Sequence, residues 1–250
     1  MVTGSHNPKN YNGFKIVLDR SSQKEKEILF LKKRIEDGNF LTGKGELSNQ
    51  SFDQTYIDKM NEKIILRKKL KVVLDCGNGA GSVLGPTIFK KFSDELIELF
   101  CEVDGSFPNH HPDPSDPKNL SDLIKAVKLH KADIGIALDG DGDRLGVVDS
   151  DGEIIYPDRY LSLMSKDILE RYKESKIVFD VKCSNQLKRT IEKHKGIPIM
   201  TKTGHSYIKS EIKKNNAALG GEMSGHIFYN EEWYGFDDGI FSGLKLLEIL

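Results

Sequence analysis

Two short β-branched runs, Lys71-Val72-Val73-Leu74-Asp75-Cys76 and Lys176-Ile177-Val178-Phe179-Asp180-Val181, most constrain how this chain can fold. Each is preceded by charge and followed by a helix start, so they read as equivalent strands in repeated units. After the first come a Gly-rich turn, an apolar segment to about Phe92, a strand over residues 96–100, a helix-period run over 120–130 and a strand over 133–138. After the second come a helix over 184–194 with Ser184 as its cap, a strand over 197–201, a helix over 206–214 and a strand over 217–219. Strands alternating with helices of this length need crossover connections. The expected fold is α/β: consecutive layered α/β domains with mixed, mostly parallel sheets and sites at the carboxyl ends of strands.

Residues 147–155 alternate around Asp151-Gly152 and predict a hairpin, after which Pro157-Asp158 begins a helix. Helical periodicity also covers residues 25–36 and 52–64, separated by a Gly/Ser/Asn-rich stretch over 38–50. Three units are therefore expected, at residues 1–50, 51–153 and 154–250. The first holds a strand-like run over 13–18 and one helix, too little to close a core. In the last helix Ile240, Phe241, Leu244, Leu247 and Leu250 stay in phase to the final residue, with no capping glycine. Both ends are expected to lie inside a longer protein.

The 250 residues include 37 basic and 38 acidic side chains. With the lysines dispersed among glutamates, no long-range field favours nucleic acid or an anionic membrane, and a small-molecule partner is expected. Cys76, Cys101 and Cys183 are widely spaced and odd in number, which argues against a disulfide framework or a zinc site. No apolar run approaches the roughly 18 residues of a membrane span and no leader is evident, so the expected compartment is the reducing cytoplasm.

The strongest chemical signal is Asp139-Gly140-Asp141-Gly142-Asp143-Arg144, directly after an apolar strand. Glycines between alternate carboxylates let the backbone curl so that all three point at one centre. At separations of ~5 Å and an effective dielectric near 20, each pair repels by ~3 kcal/mol, which a divalent cation removes. The spacing suits Mg²⁺ with phosphate chemistry; an EF-hand is excluded because Arg144 stands where that loop needs glycine and Ser150 where it needs glutamate. The plain alternative is an exposed acidic turn with splayed carboxylates.

Ser5, in Thr3-Gly4-Ser5-His6-Asn7-Pro8, needs a base, a metal or a bound phosphoryl group to take part in catalysis, and otherwise reads as a turn residue. Lys15 is a candidate for charge stabilisation or proton transfer. In Gly221-Glu222-Met223-Ser224-Gly225-His226, the residues Glu222, Ser224 and His226 alternate and offer acceptor, donor and titratable groups to a polyhydroxylated ligand; the alternative is a strand-to-strand turn. Lys182 and His205 each follow a strand and add cations to the same edge, or serve equally as helix-cap neighbours. His110 and His111 are adjacent and in an extended chain would face opposite ways, which argues against a shared metal. Gly77-Asn78-Gly79-Ala80-Gly81-Ser82 lacks the third glycine and the acidic residue of a dinucleotide fingerprint and reads as a tight turn into a helix.

Together these segments resemble the α-D-phosphohexomutase family, most closely its bacterial phosphomannomutase/phosphoglucomutase branch. The likeness rests on Thr3 to Pro8 with Tyr11-Asn12-Gly13-Phe14-Lys15, on Asp139 to Arg144, on Gly221 to His226, on Gly77-Asn78-Gly79-Ala80 and on Phe107-Pro108-Asn109-His110-His111-Pro112-Asp113-Pro114. The resemblance implies that Ser5 is a phosphoserine and that Asp139, Asp141 and Asp143 hold Mg²⁺, which also touches Ser5. It implies reversible phosphoryl transfer between C1 and C6 of a mannose or glucose phosphate, through a hexose 1,6-bisphosphate. Arg144, Lys182 and His205 would assist at the phosphate or in substrate placement, His6 and Asn7 would flank it, Lys15 and His226 would handle protons, and Glu222 with Ser224 would hold sugar hydroxyls. The family has four domains around one cleft, so the resemblance implies incomplete domains 1 to 3 here, little turnover by this stretch alone, and a monomer when complete. Three other readings stay open: a phosphoglucosamine mutase, a haloacid-dehalogenase-type phosphatase with Asp139 as nucleophile, and a non-catalytic metal and sugar-phosphate binder.

Overall fold

The computed structural model describes residues 1–19, 21–23 and 25–250. The opening segment forms a two-residue ladder between β1 (Val17–Leu18) and β2 (Ser21–Ser22), then helix α1 (Glu25–Glu36); residues 39–52 have no regular structure and are exposed. The strand expected over residues 13–18 is thus mostly absent. Val2 and Phe14 make one isolated bridge, and Phe14, Val17 and Leu18 stay exposed because no further strand among the described residues pairs with them.

Helix α2 (Asp53–Lys63) leads into a five-stranded sheet of β3 (Leu70–Asp75), β4 (Ser93–Leu99), β5 (Ile134–Leu138), β6 (Leu145–Asp149) and β7 (Ile154–Ile155), ordered β4-β3-β5-β6-β7. The centre is parallel, β3 with β4 and β5, and the β5-β6-β7 edge is antiparallel. β3 and β5 are nearly continuous apolar runs because helices cover both faces, α3 (Gly85–Phe92) on one and α4 (Ser121–His130) on the other. Gly135 permits the second contact: a Cβ there would lie 2.8 Å from Val127 and 2.9 Å from Leu123 of α4. The predicted hairpin is present as β6 and β7. Its second strand places Ile154 and Ile155 in this sheet rather than in the unit that follows.

The next unit comprises α5 (Pro157–Arg171), β8 (Lys176–Asp180), α6 (Asn185–Lys193), β9 (Ile197–Thr201), α7 (His205–Asn215), β10 (Leu219–Gly221), β11 (Ile227–Tyr229) and α8 (Gly239–Ile249). Its strand order is β11-β10-β8-β9, with β8 parallel to β9 and β10. The strand expected at 217–219 starts at Leu219 and runs on to Gly221. Ser184 precedes α6 but its hydroxyl makes no capping bond; its N–H donates instead to Asp158 Oδ2 at 3.1 Å. Among the described residues no helix is long and apolar enough to cross a membrane.

One apolar core runs through both units, because α8 lies against β5, β6 and α3 of the first sheet as well as α5 and β11 of its own. Asp238 caps α8 by accepting from Phe241 N–H at 2.9 Å, and burial pushes its carboxyl up to about 6. Leu244 is fully buried in that core. Leu244→Ala is expected to destabilise the chain by about 2–5 kcal/mol, read as a lower urea midpoint.

The turn after β3 is held by a second buried group. Asp75 accepts from Gly77 N–H at 2.9 Å and lies 3.1 Å from His110 Nε2, whereas His111 is exposed, so the two histidines do face apart. The hydrogen bond to Asp75 raises the His110 pKa against the opposing effect of burial. Its stabilising contribution is therefore complete below the unfolded histidine value of about 6.5 and is lost as pH rises through the higher native value. The urea midpoint should fall as pH rises above about 6.5, and fall less in His110→Gln.

Candidate active site

The turn from β5 to β6 is built around the Asp139 carboxylate, which is wholly buried. Its Oδ1 accepts from the N–H groups of Asp143 and Arg144 at 3.0 and 3.1 Å, and its Oδ2 from Arg144 Nε at 2.8 Å. Gly142, at φ 76°, supplies the left-handed step that brings the chain back. One oxygen each from Asp139, Asp141 and Asp143 then lies within 4.8 Å of the others. Asp141 Oδ1 and Asp143 Oδ1 are buried without a hydrogen bond, and of the two only Asp143 Oδ1 has a cation beside it, His226 Nδ1 at 3.4 Å, which leaves Asp141 Oδ1 as a hard oxygen donor for a cation. The spread acidic turn weighed as an alternative is not what forms.

The opening loop is seated on this turn. Ser5, at φ 50°, places its Oγ 3.4 Å from Asp139 Oδ2 and 3.1 Å from His6 Nδ1. Its N–H donates to Thr3 Oγ1 at 2.7 Å, and Thr3 Oγ1 donates to Asp141 Oδ2 at 3.0 Å. Thr3 N–H bonds to Gly13 O and Lys15 N–H to Met1 O, which delivers Lys15 to the carboxylates. Lys15 Nζ stands 2.7 Å from Asp141 Oδ2 and 2.5 Å from Asp143 Oδ2. Burial opposes its charge, but Asp143 and Asp141 outweigh burial and hold the pKa well above the usual lysine value. Asp143 itself is pushed up to about 7 by burial and by the Asp139 charge.

Arg144 is buried between Asp139 and Asp113, with Nη1 3.1 Å from Asp113 Oδ1 and Nη2 without a partner. Its backbone bridges to His226, joining the two sheets at the site. His226 Nδ1 lies 3.0 Å from Asp237 Oδ2 and 3.4 Å from Asp143 Oδ1. Burial opposes protonation of this ring, and the Asp237 and Asp143 carboxylates beside it overcome that, raising the pKa. The His205 ring is 5.8 Å away, its pKa lowered by burial.

Glu222 is buried, accepting from Gly204 N–H and, at 3.2 Å, from Ser224 Oγ; burial raises its pKa. Asp180 gathers the neighbouring loops by accepting from Thr203 Oγ1 at 2.9 Å, Cys183 Sγ at 3.2 Å and Met223 N–H at 3.3 Å. Lys182, on the turn after β8, and Asn7, beside Ser5, are exposed.

The structure thus brings Ser5, His6, Lys15, Asp139, Asp141, Asp143, Arg144 and His226 into one cluster, and Glu222, Ser224 and His205 into the adjoining loops. Sequence reasoning gave no role to Thr3, Asp113, Asp180, Lys209 or Asp237. Lys209 Nζ is 2.5 Å from Asp237 Oδ1, so Asp237 ties α7 to the histidine loop. The available signal was positional: Asp180 ends a β-branched strand, as Asp139 follows one, and Asp237 stands beside a helix-capping aspartate.

Residues 54–152 match the family description phosphoglucomutase/phosphomannomutase, alpha/beta/alpha domain II, and residues 156–250 match domain III of the same family. The chain belongs to the phosphoglucomutase/phosphomannomutase family. It is 52% identical over 250 residues to a phosphomannomutase/phosphoglucomutase of Pseudomonas syringae pv. tomato, covering 100% of this chain and 54% of that protein. It is 49% identical over 252 residues to a phosphoglucomutase of Neisseria meningitidis serogroup A, covering 100% and 55%. A crystal structure of a phosphoglucomutase/phosphomannomutase family protein from Burkholderia thailandensis superposes with a TM-score of 0.97 at 49% identity, over 99% of this chain and 54% of that one. The chain spans about half the length of the curated relatives it matches.

Gly140 lets the serine loop sit where it does, because a Cβ there would strike the Ser5 carbonyl oxygen. Gly140→Ala is expected to keep the far-ultraviolet circular dichroism of the chain while displacing the loop, at an overpacking cost of about 1–3 kcal/mol. Hydrogen exchange over residues 3–8 should accelerate, with little change in β3 and β8.

Proposed function

We propose that these residues carry out reversible phosphoryl transfer between C1 and C6 of a mannose or glucose phosphate, through a phosphoserine at Ser5 and a hexose 1,6-bisphosphate. The observation that carries this reading is the seating of Ser5 Oγ beside Asp139, at the edge of three convergent carboxylates of which Asp141 keeps an oxygen without a hydrogen bond. Its support also comes from relatives named as mutases of these sugars.

Asp139, Asp141 and Asp143 would hold Mg²⁺, with Ser5 as the neighbouring oxygen. Such an ion supplies charge compensation to phosphoryl oxygens. A phosphoryl group on Ser5 adds about −1.5 to −2 charges, and His6, Lys15 and Arg144 stand within the cluster that faces it. A substrate hydroxyl attacks phosphorus in line as the Ser5 Oγ–P bond breaks, and the bisphosphate reorients so that the other phosphoryl group returns to Ser5. Lys15 and His226 handle the proton exchanged at each step, with Asp143 in contact with both. Glu222 and Ser224 orient sugar hydroxyls, and Asn7, Lys182 and His205 receive the phosphates at the loop edge. Complete turnover belongs to the longer protein represented by the relatives, acting as a cytoplasmic monomer, with little from these 250 residues alone.

The phosphatase reading is disfavoured by burial. Asp139 is wholly buried and holds its own turn together through two N–H groups and the Arg144 guanidinium, whereas the Ser5 hydroxyl beside it is only part-buried. Incubation with Mg²⁺ and glucose 1,6-bisphosphate followed by mass-spectrometric site mapping should place acid-stable phosphate on Ser5. Hydroxylamine-labile phosphate on Asp139 would overturn the assignment. Ser5→Ala in the complete protein should abolish labelling and lower turnover by about 10³-fold or more.

A further inference from the structure

Two of the three cysteines meet across the parallel β3–β4 pair. Cys76 directly follows β3, Cys101 lies two residues beyond β4, and their Sγ atoms are 3.1 Å apart. The ladder sets Asp75 opposite Leu99 and continues beyond both strands, Cys76 N–H donating to Leu99 O at 3.1 Å and Asn78 N–H to Phe100 O at 2.8 Å. The backbones remain about one strand spacing of 4.8 Å apart, and Cys101 stands one residue, about 3.3 Å, past the position opposite Cys76, which together keep the pair within the range of about 4.4–6.8 Å between Cα atoms that a disulfide accepts. Phe100, at φ 52°, breaks the strand alternation immediately before Cys101. Closing the thiols to a bond of about 2.05 Å needs roughly 1 Å of further approach.

The pair is also chemically asymmetric. Cys76 is wholly buried, and the hydrogen bond with Cys101 together with burial holds its thiol far above the ordinary value. Cys101 is only half-buried, so it is the sulfur that an external reagent reaches first. Cys183 belongs to the other sheet, where its thiol bonds to Asp180.

We propose that Cys76 and Cys101 form a reversible dithiol/disulfide site, oxidised by a small-molecule disulfide such as oxidised glutathione. Cys101, as thiolate, bonds to one glutathione sulfur, the glutathione S–S bond breaks and one glutathione thiolate leaves. With Cys101 bonded to glutathione, the hydrogen bond that raised the Cys76 thiol is gone; Cys76 attacks Cys101 Sγ, the Cys101–glutathione S–S bond breaks, and the proton of Cys76 passes to the departing glutathione sulfur, leaving the protein disulfide. Two protein thiols lose two electrons, and one oxidised glutathione becomes two reduced molecules. The new bond closes a loop over residues 76–101, which contains the Gly77–Ser82 turn. That turn lies directly on the carboxylate loop: Ala80 N–H donates to Gly140 O at 2.9 Å, and a Cβ on Gly79 would stand 2.7 Å from the same oxygen.

The test treats the reduced 250-residue chain with oxidised glutathione, alkylates it in denaturant and maps its peptides, using no sugar phosphate and no metal, so its result is separate from the mutase assignment. The expected result is a Cys76–Cys101 cross-linked peptide, loss of two of three alkylated cysteines, and recovery of all three with dithiothreitol. Cys76→Ser should stop at a glutathione adduct on Cys101, and Cys183→Ser should cross-link as the parent does. A stable glutathione adduct on Cys101 of the parent chain, alkylation of all three cysteines, or a cross-link through Cys183 would each overturn the proposal.

Discussion

The burial of the Asp139 carboxylate is the constraint on which the rest of the site depends. A carboxylate removed from water must be met by donors, and here they come from its own turn: two backbone N–H groups and the Arg144 side chain. Meeting them forces the chain to reverse within a few residues, and that reversal brings Asp141 and Asp143 to the same side. Arg144, drawn inward by Asp139, reaches Asp113 in the loop before α4 and so pins a second segment against the first. The convergence of three acids is thus a consequence of satisfying one of them.

The same turn joins the two sheets. Leu145 N–H donates to Gly225 O at 3.1 Å, Tyr160 Oη donates to Leu145 O at 2.7 Å, and Gly239 N–H donates to Gly142 O at 3.0 Å. These contacts come from the histidine loop, α5 and the start of α8, so one hairpin is gripped by three elements of the neighbouring unit. Gly225 and Gly239 are needed because a Cβ on either would lie under 3 Å from a carbonyl oxygen of the turn. His226 therefore reaches Asp143 through a packed backbone contact between units.

Much of this was legible in the sequence. Strands entering Gly-spaced acids, the helix periods of α1, α2 and α4, and the 147–155 hairpin follow from local pattern. Residues 13–18 misled because Phe14, Val17 and Leu18 carry a strand's composition, while pairing needs a neighbour that is absent among the described residues. Ser184 misled similarly: the residue type favours capping, but a tertiary bond from its N–H to Asp158 fixes the turn instead. Asp113, Asp180 and Asp237 were missed for one reason. Each acts by joining segments distant in sequence, and no local period records that.

Two of these three acids, Asp113 and Asp237, hold cations of the site. The cations Lys15, Lys209, Arg144 and His226 come from four different segments, and each is held by an aspartate that is itself largely buried. An unpaired buried cation would lose its proton or draw in water, whereas a paired one keeps its charge and its place. Asp237 and Asp143 raise the His226 pKa, while Asp143 and Asp141 raise that of Lys15. The cluster therefore presents positive groups held beside converging carboxylates before any ligand arrives. That is the preorganisation an anionic phosphoryl group needs when charge shifts between two oxygens, because neither the donors nor the backbone must rearrange at that moment.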